Sequence, residues 1–439
     1  MFASIQRLGL MGLLLCWQSV PAQAAAAAPT PATTPSLQVL HWWTSASERR
    51  AANLLAARLR DEGVEWKDGA IPGGAGIGAG KVLKGRVLAR DAPDATQIIG
   101  ASIGEWADLG LLLEFDNVAV AGGWSTALFP TVYSLVQHRR HVVAAPLGIH
   151  RINTLFYNRK LFDKLHLTPA STWAELEQLQ RKLRAAGVVP FVQSSEPWQV
   201  ATLFENLVLA EGGPEYYRDL FVRQSAQAVA DKRLINALNH LRTMKAWMRA
   251  PLDELSWTDA VRSFARREGA MIVMGDWAKA EMNEWGYTLD DDFACATMPG
   301  TGKLHLYSID TLSMFSNDYA RSPAQEKLAR LAVTPTMQQQ YNAAKGSVPV
   351  RRDADHASMD SCARDSWNAF AKGAAAQAPS LVHRMAASEE SRDAIIAEVH
   401  RFFVSDSVSA ADTQRRLAAI VRTLNPRTLK PGTSATTGK

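Results

Sequence analysis

The sequence predicts an α/β protein of two lobes joined by hinge segments, and three observations lead there. Near the start, apolar strands alternate with capped amphipathic helices, the pattern of a sheet covered on both faces. Two extended stretches punctuated by Gly and Pro, APLGIH at 145–150 and KGSVPV at 345–350, look like places where the chain passes between lobes and absorbs rotation. The 439 residues suffice for two to three domains with a large buried core.

Taken in order, Leu37 to Leu40 is a short apolar strand running into His41-Trp42-Trp43-Thr44. Ser45 and Glu48 form a capping box for a helix that carries Leu54, Leu55 and Leu59 on one face and ends near Gly63. A glycine-rich loop, 73–80, precedes a helical stretch through Val82, Leu83 and Val87. Ala95 to Ile99 reads as the next strand, with Ser102 and Glu105 as a second capping box. Thr172 and Glu175 cap a helix reaching Gly187, and further helices are expected over 199–211 and 231–249. Gly269 to Met274 is a buried strand, Asp276 sits where it should turn into a helix, and Tyr307 to Phe315 is strand-like. Helices over 389–403 and 410–424 follow, and no internal repeat is visible.

Composition narrows the function. Apolar residues make up 47% and charged ones 21%, which excludes disordered, collagenous and disulfide-scaffold classes. The net charge of +5 comes from 48 basic and 43 acidic residues that are well mixed, so no nucleic-acid partner is expected. Thirteen tryptophans hint at surfaces that grip flat or ring-shaped partners.

The first 24 residues read as a secretory signal: Arg7 in the n-region, an apolar stretch from Leu8 to Val20, and Ala22-Gln23-Ala24 as the cleavage site. The apolar stretch is shorter than the ~20 residues a spanning anchor needs. Lipidation at Cys16 is the other alternative, although Leu15 precedes it where a small residue is usual. A periplasmic location with cleavage near Ala24 is therefore expected, followed by a disordered Ala/Pro/Thr-rich leader over 25–36. Export leaves Cys295 and Cys362, either a disulfide or two separate buried thiols, with no metal-site spacing around them.

Catalytic motifs fail one by one. Residues 74–79 fit a relaxed G-x-G-x-x-A and Asp94 lies at a ribose-binding distance, but Pro72 immediately precedes the loop and export removes the nicotinamide pool. Gly80-Lys81 is followed by Val82, which rules out a phosphate loop, and there is no G-x-S-x-G or H-E-x-x-H. No carboxylate pair recommends itself for glycosidase work. No enzyme, cofactor or metal is expected.

What remains could bind a ring. Trp42-Trp43 stands at the carboxyl end of a strand, where open α/β sheets bind ligands, and indole faces lie well against a pyranose. Neighbouring residues there point to opposite sides, so at least one indole should be exposed. Asp276 could accept two hydroxyl hydrogen bonds or serve as an ordinary helix N-cap. Asp310, Lys345 and His383 are weaker candidates on position alone.

These residues carry a family likeness. HWWTS with Glu48, PDATQ…EWADLG, APLGIHRINTLFYN, EPWQVATLFENLVLAEGG, MGDWAKAEM, YSIDTLSMF, KGSVPVR and PSLVHRMA recur in order from about residue 37 to 424. In them the chain resembles the bacterial extracellular solute-binding proteins that feed ABC sugar importers, most closely the periplasmic glucose-binding type. The resemblance implies the type II periplasmic binding protein fold, with hinge-connected lobes closing over a ligand in the cleft between them. The first lobe would be 37–146 with about 300–345, the second 147–299 with about 346–425, and 426–439 a flexible tail. Ligand contacts carry over to Trp42, Trp43, Glu48, Trp198, Asp276, Trp277, Asp310, Lys345 and His383, and a disulfide to Cys295 and Cys362.

The likeness has departures. Ile99 stands where the glucose-binding type carries a lysine, Ile77 about where it carries an aspartate, and Glu196 where a neutral amide is expected. The first two replace hydroxyl-binding charges with aliphatic groups, which disfavours a hydroxyl there. The function expected is delivery of a monosaccharide or small glycoside, glucose-like with altered specificity, to the membrane permease of an ABC importer by a monomer. A ligand-presenting sensor subunit and a secreted glycoside hydrolase are the alternatives.

Overall fold

The computed structural model describes residues 34–73, 76–316 and 318–424, without the side chains of Ile77 and Tyr319. The export signal expected over 1–24, nearly all of the leader, the tail over 426–439 and the Ile77 side chain lie outside the described residues. No helix among those described is long and apolar enough to cross a membrane.

The first strand, Ser36–His41, buries Leu37, Val39 and Leu40 and lies between two parallel neighbours, Glu65–Ala70 and Ala95–Gln97. The Glu65–Ala70 strand was not expected: EWKDGA has no apolar alternation because it is a half-exposed edge strand, paired on one side only. Between these strands the helix Ala46–Asp61 starts with the Ser45–Glu48 capping box as expected. The second expected box does not form. The helix Ala101–Asp108 begins after Gly100, and its first amide donates to the Arg384 carbonyl at 2.9 Å, which takes the place of a Ser102 cap. Only glycine fits at position 100, where φ is +61° and a Cβ would stand 2.0 Å from that carbonyl oxygen.

The longest strand, His305–Met314, completes this sheet, pairing parallel with Gln377–Pro379 and antiparallel with Ala95–Gln97 and Ala145–Arg151. A second sheet of three antiparallel strands places Thr154–Asn158 between Met271–Val273 and Phe293–Thr297. Helices surround it, among them Trp173–Ala185 with its Thr172–Glu175 capping box, Lys232–Lys245, Trp257–Ala265 and Glu389–Val404. The helix expected over 199–211 forms the first part of Pro197–Phe221, two helical segments that meet at a kink where Gly213 leaves helical geometry at φ +68° and Pro214 lacks an N–H for the ladder.

Each sheet has its own core. The first gathers apolar residues from 37–149 and 309–370; the second takes 152–298, Leu306 and 378–421. The 346–370 stretch, expected on the second side, packs Val348, Val350, Ala363 and Phe370 into the first core. The segment 145–150 is extended, as expected. It lies in the fully buried strand Ala145–Arg151, and its pairing with His305–Met314 carries the chain from one core to the other. A register shift between Asp310 and Thr311 marks this ladder, and such irregularities re-aim side chains beside sites.

Cys295, on the strand Phe293–Thr297, is disulfide-bonded to Cys362, on the helix Ser361–Phe370, with Cα atoms 6.0 Å apart. The first element packs in the second core and the second in the first, so the bond ties the lobes together. Across the cleft, Ser47 donates its N–H and its hydroxyl to Glu281 Oε2 at 3.0 and 2.8 Å. Arg50 pairs with Glu284 and Lys84 with Glu389, each at 2.5 Å.

Candidate ligand site

A cavity of about 370 Å³ opens where the two sheets face each other, and most of its walls are ends of elements already described. Trp42, just past the first strand, lies on its rim. Its indole rests on the backbone of Gly76, where an added Cβ would be 2.9 Å from the ring. Trp198 comes from the start of the helix Pro197–Phe221, Trp257 from the start of Trp257–Ala265, and Trp277 from the start of Trp277–Glu284. Four indoles thus converge on one space. The Trp198 N–H is itself buried and has no hydrogen-bond partner among the described residues, so what this indole offers to the cavity is its face.

The polar groups are held in fixed orientations. Glu48 Oε2 accepts from the Thr44 and Ser45 amides at 3.0 and 3.2 Å, while its Oε1 accepts from the Lys345 ammonium at 3.2 Å. Both side chains are nearly dry, so each is the other's charge partner. The carboxylates Glu48, Asp310 and Asp276 raise the Lys345 amine against the opposing effect of burial. Asp310 accepts from Gln97 Nε2 at 3.2 Å, and its other oxygen lies 3.3 Å from His150 Nε2. Burial pushes this carboxyl up, but His150, Lys345 and Gln97 outweigh it and bring it to about 2.

His150 is the hub that sequence reading missed. Its Nδ1 lies 2.5 Å from Asp276 Oδ1 and its Nε2 faces Asp310. Burial and Lys345 oppose its charge, yet the two carboxylates raise it to about 8. His383 is the opposite case. Burial, reinforced by Arg392 and His150, holds it down at about 3, so its ring is neutral.

Two of the expected residues do not line the cavity. Trp43 is fully buried beneath the cavity, stacked on His41 at 4.9 Å and edge-on to Tyr341 at 6.1 Å. Consecutive residues leaving a strand point to opposite sides, and Trp42 takes the open one. Asp276 does not line the cavity. One oxygen is turned to His150 and the other accepts the Arg151 amide at 2.9 Å, and its side chain does not cap the helix that follows.

The profile of the bacterial extracellular solute-binding proteins matches residues 45–334. The chain belongs to this family. A "probable sugar-binding periplasmic protein" of Brucella suis biovar 1 is 31% identical over 390 residues, 88% of this chain and 92% of its own. An "uncharacterized ABC transporter extracellular-binding protein" of Pyrococcus horikoshii is 26% identical over 412 residues, 90% of each chain. Among solved structures, the bacterial solute receptor AcbH superposes with a TM-score of 0.77 at 15% identity, over 89% of this chain and 99% of that one. A chitin oligosaccharide binding protein gives 0.75 at 16%, over 90% and 99%. These last two share the two-lobe fold.

As a solute-binding protein, the chain carries out no catalysis, and its cavity is the place to look for the solute. Trp42, Glu48, Trp198, Trp277, Asp310, Lys345 and His383 all line it, as do Ile99 and Glu196. His150, Ser308 and Trp257 line it too and were not anticipated. His150 and Ser308 sit inside strands where nothing in an apolar run marks a cavity-facing residue. The SWTD run at 256–259 reads as any N-capped helix start.

Proposed function

We propose that this solute-binding protein captures a neutral carbohydrate in the periplasm and delivers it to the permease of an ABC importer. The observation that carries the reading is the convergence of four indoles with oriented, paired polar groups in one cleft between the lobes. Indole faces suit the C–H face of a sugar ring, and fixed carboxylates and an ammonium suit its hydroxyls. The sugar-binding and periplasmic names of relatives at 31% identity agree with it.

The ligand is a monosaccharide or small glycoside. At about 370 Å³ the cavity lies near the lower end of the roughly 300–1,000 Å³ of small-molecule sites. Ile99 gives the first-lobe wall an apolar patch, which favours a deoxy position or an apolar aglycone there over a free hydroxyl. Delivery is by a monomer, with the lobe boundaries following the two cores. A melting-shift panel of glucose, galactose, mannose, deoxy sugars, disaccharides and methyl glycosides tests this on unfolded and refolded protein. A ligand at a hundredfold excess over its dissociation constant adds about 2.7 kcal/mol. Preference for a less polar glycoside over glucose is expected; tight, exclusive glucose binding would overturn the altered specificity.

A further inference from the structure

Behind the cavity wall lies a buried carboxylate that the ligand site does not touch. Glu205, on the helix Pro197–Phe221, is fully buried, and two elements converge on it. Its Oε2 accepts from the Tyr217 hydroxyl at 2.8 Å and from the Leu381 and Val382 amides at 2.7 and 3.4 Å. Its Oε1 accepts from the Ser380 hydroxyl at 2.8 Å. These donors hold the turn 380–383 against the helix, and His383 stands at the end of that turn.

A hydroxyl has one proton and two lone pairs. The Ser380 proton goes to Glu205, so its oxygen is left only as an acceptor. It receives the His383 backbone N–H at 3.1 Å and lies 2.9 Å from His383 Nδ1. Nδ1 must then carry the proton. The ring is neutral, so Nε2 is bare, and it makes no hydrogen bond among the described residues.

We propose that Glu205, acting through Ser380, locks His383 in the Nδ1–H tautomer, so that the cavity meets its ligand there with an acceptor and selects a hydroxyl that donates. Glu205 and Ser380 are positioning residues; His383 makes the contact. The ligand clause rests on the carbohydrate reading, whereas the tautomer follows from the hydrogen-bond chain with Glu205 ionised.

The test is long-range proton–nitrogen correlation NMR on refolded, sugar-free protein with labelled histidines at about pH 8. Burial pushes Glu205 up to about 7, so its carboxyl is mostly ionised there. His383→Gln identifies the signal among the ten histidines. The wild type should show Nδ1 protonated and Nε2 bare. In Glu205→Gln the amide NH₂ faces Ser380, whose hydroxyl turns to Nδ1, and the ring should switch to Nε2–H. Ser380→Ala removes the relay with Glu205 in place and should lose the Nδ1–H preference, a readout available if Glu205→Gln does not fold. An Nε2–H wild type, or a tautomer unmoved in a folded Glu205→Gln or Ser380→Ala protein, would overturn the proposal. With glucose, maltose, a deoxy sugar and a methyl glycoside as probes, Glu205→Gln should weaken whichever binds by tenfold or more. Failure of all of them to bind the wild type would count against the carbohydrate reading, while the tautomer would still stand or fall on the NMR spectra.

Discussion

The His150 imidazole bridges two carboxylates, with Nδ1 at 2.5 Å from Asp276 and Nε2 at 3.3 Å from Asp310. Asp276 packs with the second lobe, at the start of the helix Trp277–Glu284, and Asp310 lies on the long strand His305–Met314 of the first sheet. The charge of one histidine therefore orients the cleft.

That charge has a pH signature. His150 is raised from 6.5 to about 8, so the stability it contributes is complete below pH 6.5 and is lost as pH rises through 8. The difference corresponds to about 2 kcal/mol. The wild-type melting temperature should fall across this window more than that of His150→Gln, which cannot titrate. Parallel curves for the two proteins would contradict the assignment.

The adjacent tryptophans should separate cleanly. Trp43→Ala removes a fully buried ring and should cost about 3–5 kcal/mol of stability in denaturant titration. Trp42→Ala should leave stability nearly unchanged and weaken sugar binding, because that indole stands at the cavity rim.

Closure depends on Ser47 and Glu281. Removing the acceptor of two bonds with Glu281→Ala should cost about 1.5–3 kcal/mol of the lobe contact, or roughly ten- to a hundredfold in affinity. Small-angle scattering should find the variant more extended than the wild type.

The disulfide closes a sequence separation of 67 residues. Loss of the bond in Cys295→Ser with Cys362→Ser should reduce stability by about 4 kcal/mol, on the chain-entropy argument. Ligand affinity should survive, since neither cysteine lines the cavity.

Much of this was legible because the signals were local. The Ser45–Glu48 box, the strand into Trp42 and the helix start at Trp277 all announce themselves within a few residues. Lys345 and His383 are weak candidates on position alone and gain weight only through the family likeness, since their partners Glu48 and Ser380 are set by tertiary packing. The same packing hid His150, whose meaning comes from carboxylates 126 and 160 positions away, and it places Asp276 behind that histidine and off the cavity lining. The edge strand Glu65–Ala70 escaped notice because a strand held mainly by backbone bonds needs no apolar pattern.

The measurement closest to the central claim is calorimetric titration of refolded protein with the sugar and glycoside panel, repeated on Trp198→Ala and Asp310→Asn. The account predicts that at least one neutral monosaccharide or small glycoside binds the wild type and that both substitutions weaken it at least tenfold. Silence toward every sugar, or binding that both variants retain in full, would contradict it.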